Sequence, residues 1–238
     1  MPTHRVGSTP VAIRRFDVIG QDSSSEPGFI GHVALAEEDR VNHNSPAAVP
    51  VVHMRPPFER PGECRADCVG SAGLSVRRQR QIKVFCDMIG SEYEAARLGK
   101  SIDQYIIDPH VWPVRRKDKT VVCHRFSCVG LVIEAYRAAQ IDILWTDLAP
   151  VPLVERDALK TQYPEFAKVL DRPRERKKLG IPGDGPWPVI LAGYVLNALD
   201  RPESEIHKTP YLPRAGDEFF PPRRPRPSDS GPISIPWP

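Results

Sequence analysis

The sequence predicts an α+β fold in which a small antiparallel sheet packs against a helix that begins at Cys128, with additional helices around it. Three observations carry this expectation. Short apolar runs with strand alternation crowd residues 11–54, and apolar residues at helical spacing take over after residue 77. The segment Ser127-Cys128-Val129-Gly130 stands where a turn gives way to an amphipathic helix. A chain of 238 residues, 40% of them hydrophobic, is long enough to bury a substantial core as one domain with insertions.

Within residues 11–54, Phe16-Asp17-Val18-Ile19 and Phe29-Ile30-Gly31-His32-Val33-Ala34-Leu35-Ala36 read as strands, separated by the flexible loop Gln21–Pro27. Glu37-Glu38-Asp39 reads as a polar turn and Arg40-Val41-Asn42-His43 as the strand returning from it. Pro56-Pro57 and the glycine-rich stretch 62–73 form a connection. A helical and connector region then spans 75–119: Ile82, Phe85, Ile89, Tyr93 and Ala96 make an apolar stripe after the basic start Arg77-Arg78-Gln79-Arg80. Ile106–Pro113 is an extended segment broken by prolines, whose His110 and Trp112 either line a cleft or pack as a connector, and Arg115–Lys119 is a solvated basic turn. The Cys helix covers 127–140, with Val132, Ala135, Tyr136 and Ala139 at helical spacing, and further helices fall within 155–199. These parts make one folded unit over 1–209. From Pro210 the chain turns Pro- and Arg-rich, so 210–238 is expected to be a disordered tail, with docking to a partner as its functional alternative.

Charge narrows the function classes. The 33 basic and 30 acidic residues leave a net charge of +3, a mixed surface that gives no reason to expect nucleic acid. No run is long enough for a membrane span and Met1-Pro2-Thr3-His4-Arg5 has no apolar leader segment, so a cytoplasmic location is expected. Five cysteines, an odd number, fit a reducing compartment. Cys64-x3-Cys68 and Cys123-x4-Cys128, with His53, His110 or His124 nearby, lack the two-residue spacing of a zinc knuckle. Neither a metal nor another cofactor is expected, and Cys86 and Cys123 read as packing residues.

Cys128 is the residue that points to chemistry. At a helix N-terminus the exposed N–H groups and the positive end of the macrodipole stabilise a thiolate, so its pKa should fall below the free value of roughly 8.5. A nucleophilic thiol also needs a histidine to carry the proton and a polar group to fix that histidine's tautomer. If the hairpin between Ile30 and His43 has an even loop, His32 and His43 emerge on one face; an odd loop without a bulge sets them on opposite faces. Cys128, His32 and His43 are the candidate catalytic residues.

Phe126-Ser127-Cys128-Val129-Gly130-Leu131-Val132, with Glu134-Ala135-Tyr136 after it, resembles the nucleophile segment of the NlpC-type papain-like cysteine peptidases and amidases. Phe16-Asp17-Val18-Ile19, Gly31-His32-Val33-Ala34-Leu35 and Val41-Asn42-His43-Asn44-Ser45 resemble that family's strands leading to and carrying its histidine and third polar residue. Here the histidine strands precede the cysteine, the order of the circularly permuted branch that includes lecithin retinol acyltransferase-like proteins. The likeness covers about residues 11–54 and 120–140. It implies a permuted papain-like fold and a thiol hydrolase acting on a peptide or amide substrate through a Cys128 acyl-enzyme, with His32 as general base. Acyl transfer or thioester cleavage on lipid-like substrates, and a binding module without catalysis, are the alternatives. Three departures accompany the likeness. Val129 stands where Ser is usual, the hairpin is one residue short so that His43 or Asn44 is the orienting group, and the nearest upstream tyrosine is Tyr105. Tyr105 and His124 are the candidates for a second oxyanion donor beside the Cys128 N–H.

Overall fold

The computed structural model describes residues 3–7, 11–24, 26–43, 47–55, 58–96, 104–107, 110–146 and 151–222. Its first part is strand-rich: β1 (His4–Arg5), β2 (Val11–Ile13), β3 (Val18–Asp22), β4 (Ile30–Ala36), β5 (Arg40–His43), β6 (Ala48–Met54), β7 (Phe58–Arg65) and β8 (Cys68–Gly70). Six of these form one sheet in the order β1-β8-β3-β4-β6-β7, antiparallel at every pairing. The expected mixed α+β architecture with an antiparallel sheet is therefore present.

The hairpin expected between β4 and β5 is not. β4 pairs with β3 on one side and β6 on the other, while β5 leaves the sheet and pairs with β2, Val11 facing His43. Burial explains the choice. Val49, Val51, Val52 and Met54 of β6 are at most 1% exposed, whereas Val41 of β5 is 80% exposed, so the strand with two apolar faces takes the interior position.

Alternation along the strands then divides the core. Val18, Val33, Leu35, Val52 and Met54 face the helices, and Ile19, Ala34, Ala36, Val49, Val51 and Cys64 face the other way, toward Val11 and Ile13 of β2. On the first face lie α1 (Val76–Ala96), α2 (Cys128–Ala138) and α6 (Ala192–Leu199), with α2 against β4 and β6 and α6 against β3, β4 and β8. In α1 the expected stripe is seated through Ile82, Cys86, Ile89 and Tyr93. Between α1 and α2 the hairpin of β9 (Trp112–Arg115) and β10 (Val121–Arg125) leads the chain into Cys128.

The region after α2 is more broken than its periodicity predicts. It contains α3 (Arg156–Gln162), a 3₁₀ turn at Pro164–Phe166, α4 (Ala167–Leu170) and α5 (Pro173–Lys178), because Pro164 and Pro173 each stop one helix and start the next. Leu153–Val154 and Trp187–Pro188, β11 and β12, pair as a short ribbon, and the next helix begins at Ala192. Arg176, in the charged run Arg172–Lys178, is 2% exposed. Its guanidinium donates to the carbonyls of Leu170 and Gly183 and to Asp184 at 2.7–2.9 Å. A buried cation is tolerable only with its donors satisfied in this way.

The tail expected from Pro210 is in part folded. After α7 (Glu203–Ile206), Tyr211 donates from its backbone to Ile143 and from its hydroxyl to Asp217, and Phe219 meets Phe29 edge-on at 5.4 Å. Asn197 of α6 donates to the carbonyls of Asp217 and Phe219, each at 2.8 Å. The aromatic residues among the prolines hold this stretch, and 223–238 lie outside the described residues. Among the described residues no helix is long and apolar enough to cross a membrane.

A side chain at Gly193 tests this contact. Its Cβ would stand 2.2 Å from the Glu218 carbonyl oxygen, a backbone atom that cannot swing away. Alanine gains about 1 kcal/mol of helix propensity there, but overpacking costs about 1–3 kcal/mol. Gly193→Ala is expected to lower stability by up to about 2 kcal/mol in chemical denaturation, and to open the 214–222 segment to proteolysis.

Candidate active site

The helix that carries Cys128 is started by its own sequence. Ser127 is extended (φ −81°, ψ 170°) and its hydroxyl accepts the Gly130 N–H at 2.8 Å. A Cβ at residue 130 would come within 3.2 Å of that hydroxyl oxygen, so glycine leaves room for the cap. Cys128 is therefore the first helical residue, as expected, and it is 1% exposed.

Tyr105 is brought to it by backbone pairing. Residue 105 bridges Phe126, Ile106 donates to the Phe126 carbonyl at 3.2 Å, and the Arg125 guanidinium donates to the Tyr105 carbonyl at 2.5 Å. The phenol oxygen accepts the Cys128 N–H at 3.5 Å and its hydroxyl lies 3.7 Å from Sγ. Burial first, and then the neighbouring sulfur, pushes the phenol well above its ordinary pKa, so Tyr105 remains a donor at every working pH. Of the two candidate oxyanion donors, Tyr105 is the one at the cysteine. His124 is turned instead to Glu92, with Nδ1 at 2.9 Å from the carboxylate.

His32 lies in β4 opposite Gln21 of β3. Its neighbour is not His43, whose strand pairs with β2; Asn44 lies outside the described residues. The residue beside it is His53 of β6, with His32 Nε2 and His53 Nδ1 3.0 Å apart. The pairing of Leu35 with Val52 and Ala36 with Val51, carried down the strands, sets His53 diagonal to His32 on the same face. One strand further, Glu59 of β7 pairs directly with His53, and its carboxylate lies 3.1 Å from His53 Nε2. A single row of side chains thus crosses β4, β6 and β7.

That row fixes the protons. Burial lowers the pKa of His53 despite the opposing pull of Glu59, so the ring is neutral near pH 7. The Glu59 carboxylate accepts only, so the single proton of neutral His53 sits on Nε2 and its Nδ1 is an acceptor. His32 must then donate from Nε2, which leaves its Nδ1 as the basic nitrogen. Burial, reinforced by His53 and Arg55, holds His32 down at about 3, so it is a neutral base over the ordinary pH range.

His32 and His53 follow the alternation of Ala34, Ala36, Val49 and Val51, so their rings stand on the sheet face opposite α2. Among the described residues the ring of His32 bonds to His53 and not to Cys128. The two halves of the site meet where the strands end, at a cavity of about 160 Å³ lined by His32, Gly31 and Arg55 on one side and Tyr105, Tyr163 and Phe166 on the other. His32 reaches it directly and Cys128 through the Tyr105 hydroxyl. His110 is exposed, and Trp112 is 37% exposed on β9; neither lines this cavity.

His53 and Glu59 are the site residues that pattern reading missed. Their signal is a histidine inside the apolar strand Val49-Pro50-Val51-Val52-His53-Met54, followed by Gly62 on the partner strand. A Cβ on Gly62 would stand 2.5 Å from His53 Nε2, so the glycine makes space for the ring. No family model matches the chain, and no curated protein or solved structure matches it at a significant level.

Gly62→Ala is expected to push the His53 ring off Glu59, lowering stability by about 1–3 kcal/mol and shifting the imidazole resonances of both His53 and His32 in NMR. Stability should also depend on pH in a defined direction. His32 and His53 have folded pKa values below the unfolded 6.5, so their contribution is full above that pH and is lost as pH falls below it, for His32 down to about 3. Asp17 acts the other way: burial raises it from 3.8 to about 6, so its contribution is present below 3.8 and lost as pH rises through 6. The His32 contribution alone is worth roughly 1.4 kcal/mol per pH unit between 6.5 and 4, so in denaturant unfolding His32→Gln is expected to flatten the pH dependence of stability over that window.

Proposed function

We propose that this chain is a thiol hydrolase of permuted papain-like type, cleaving an amide or isopeptide bond through an acyl-enzyme on Cys128 with His32 as general base. The observation that carries the reading is the Tyr105 hydroxyl, which is within 3.5 Å of the Cys128 N–H and 3.7 Å of Sγ and belongs to the wall of the cavity that holds His32. Two donors beside a sulfur at a capped helix N-terminus are what an oxyanion site requires. His53 takes the orienting role expected of His43, with Glu59 behind it.

In the proposed reaction the substrate carbonyl enters the cavity at the rim where the two halves of the site converge, and Nδ1 of His32, the nitrogen that the His53 contact leaves free, accepts the thiol proton. The sulfur bonds to the carbonyl carbon, and the oxygen that becomes negative replaces the Tyr105–Cys128 contact, accepting both the phenol O–H and the backbone N–H. Collapse expels the amine, which leaves with the proton from His32. Water, deprotonated by the same nitrogen, then releases the acid and restores the thiol. Because His32 is neutral at rest, the resting pair in this scheme is thiol and imidazole, and charge separates only as the proton moves. An alcohol or amine in place of water gives acyl transfer by the same steps.

A second reading, a binding module of the same fold, has an observation of its own in the 1% exposure of Cys128. Alkylation of each of the five cysteines by iodoacetamide, followed by mass spectrometry on the folded protein, separates the two. Burial pushes Cys64 and Cys86 up to about 12, which makes them slow internal references. Catalysis predicts that Cys128 reacts fastest and loses at least tenfold in rate, about 1.4 kcal/mol of barrier, in His32→Gln. Tyr105→Phe should leave alkylation, which forms no oxyanion, nearly unchanged while lowering kcat on any cleaved amide by about 10²-fold. A Cys128 as inert as Cys64 in the folded protein would overturn the catalytic reading in favour of the module.

A further inference from the structure

The mouth of the cavity carries an unmatched positive charge. Arg55 follows β6 directly, two residues after His53, and its exposed guanidinium lines the cavity beside His32. Its charge is felt by the groups around it: after burial, it helps to hold His32 and His53 deprotonated, and it draws down the Cys64 thiol that burial raises. Nearby carboxylates are already engaged. Asp22, on the same wall, is gripped by the Arg5 guanidinium at 2.6 and 2.7 Å, and Glu59 is held by His53. Among the described residues Arg55 has no anionic partner. Opposite it the wall is aromatic, with Tyr105 and Phe166 ring centres 5.2 Å apart and Tyr163 behind them.

We infer that the ligand of this cavity is a small carboxylate-bearing acyl compound whose anion pairs with Arg55 and whose short apolar stem lies against Tyr105, Tyr163 and Phe166. The volume of about 160 Å³ has room for an acyl group of a few carbons. A guanidinium presents a planar fork that matches a carboxylate, and a single cation balances a single negative charge. Binding would also relieve the two imidazoles of an unneutralised positive neighbour, so an occupied site holds a stronger base than an empty one. Naming the ligand a substrate rests on the thiol hydrolase reading; the anion site itself does not.

The test uses butanoate and its neutral isostere butanamide, added to the full chain and followed by the imidazole resonances of His32 and His53 in NMR. Butanoate is expected to shift both rings saturably and to raise the His32 titration midpoint, and butanamide to do neither. Arg55→Gln should weaken butanoate about tenfold, as loss of a charge-assisted contact at an exposed site does, and Arg55→Lys should retain part of the binding. Butanoate affinity is read from the imidazole shifts of the unsubstituted chain and Cys128 reactivity from its alkylation rate, which keeps the two results separate. Equal effects of butanoate and butanamide, unchanged affinity in Arg55→Gln, or binding of inorganic phosphate in preference to butanoate would each overturn the carboxylate assignment. If the carboxylate binds and Cys128 proves inert, the site is an anion-binding one and the hydrolase reading alone falls.

Discussion

The pairing of β6 with β4 on one edge and β7 on the other is the contact on which the site depends. It lays His32, His53 and Glu59 side by side across consecutive strands, at separations of 3.0 and 3.1 Å. It also places Arg55 at the strand end beside them. The same pairing seals the core, because Val51, Val52 and Met54 are each fully buried by it. A polar row is expensive to enclose unless every member has a partner, and here each imidazole nitrogen that faces into the row has one. Gly62 is the local concession that makes this work, giving the His53 ring space that any side chain would fill.

Proton placement follows from the end of that row, not from its middle. An ionised carboxylate can only accept, so Glu59 sets the tautomer of His53, and His53 in turn sets that of His32. Burial then keeps both rings neutral. In the proposed chemistry this leaves the lone pair of His32 on the one nitrogen that the row does not use. The cysteine side is governed by separate forces: a serine cap, a glycine that accommodates it, and a tyrosine held by backbone pairing with Phe126. The two halves sit on different layers of the core and converge only at the rim of the sheet.

The folding of residues 210–222 shows how composition can mislead. Proline and arginine content argues for a tail, yet Tyr211, Phe219 and Phe220 lie among them, and Asp217 is fully buried. Its hydrogen bonds to Tyr211 and to the Arg214 N–H, and those of Asn197 to the nearby carbonyls, fasten the segment to α6. A few aromatic anchors with polar partners suffice to hold a stretch that lacks periodicity.

The sequence by itself determined what local rules control. The helix start at Cys128 was legible because Ser127 and Gly130 act within one turn, and the α1 stripe because Ile82, Phe85, Ile89 and Tyr93 recur at helical spacing, three of the four being buried. The strand character of residues 30–36 and 48–54 is equally local, a matter of alternation and β-branched residues. Which strand lies next to His32 was decided only in three dimensions. Adjacency in the chain favours β5, but the sheet interior goes to the strand that can bury both faces, and Val41 cannot be compared with Val51 or Val52 in that respect until the helices covering the sheet are in place. The same holds for Tyr105, whose approach to Cys128 depends on a backbone bridge to Phe126, 21 positions further along the chain, a separation that no period in the sequence encodes.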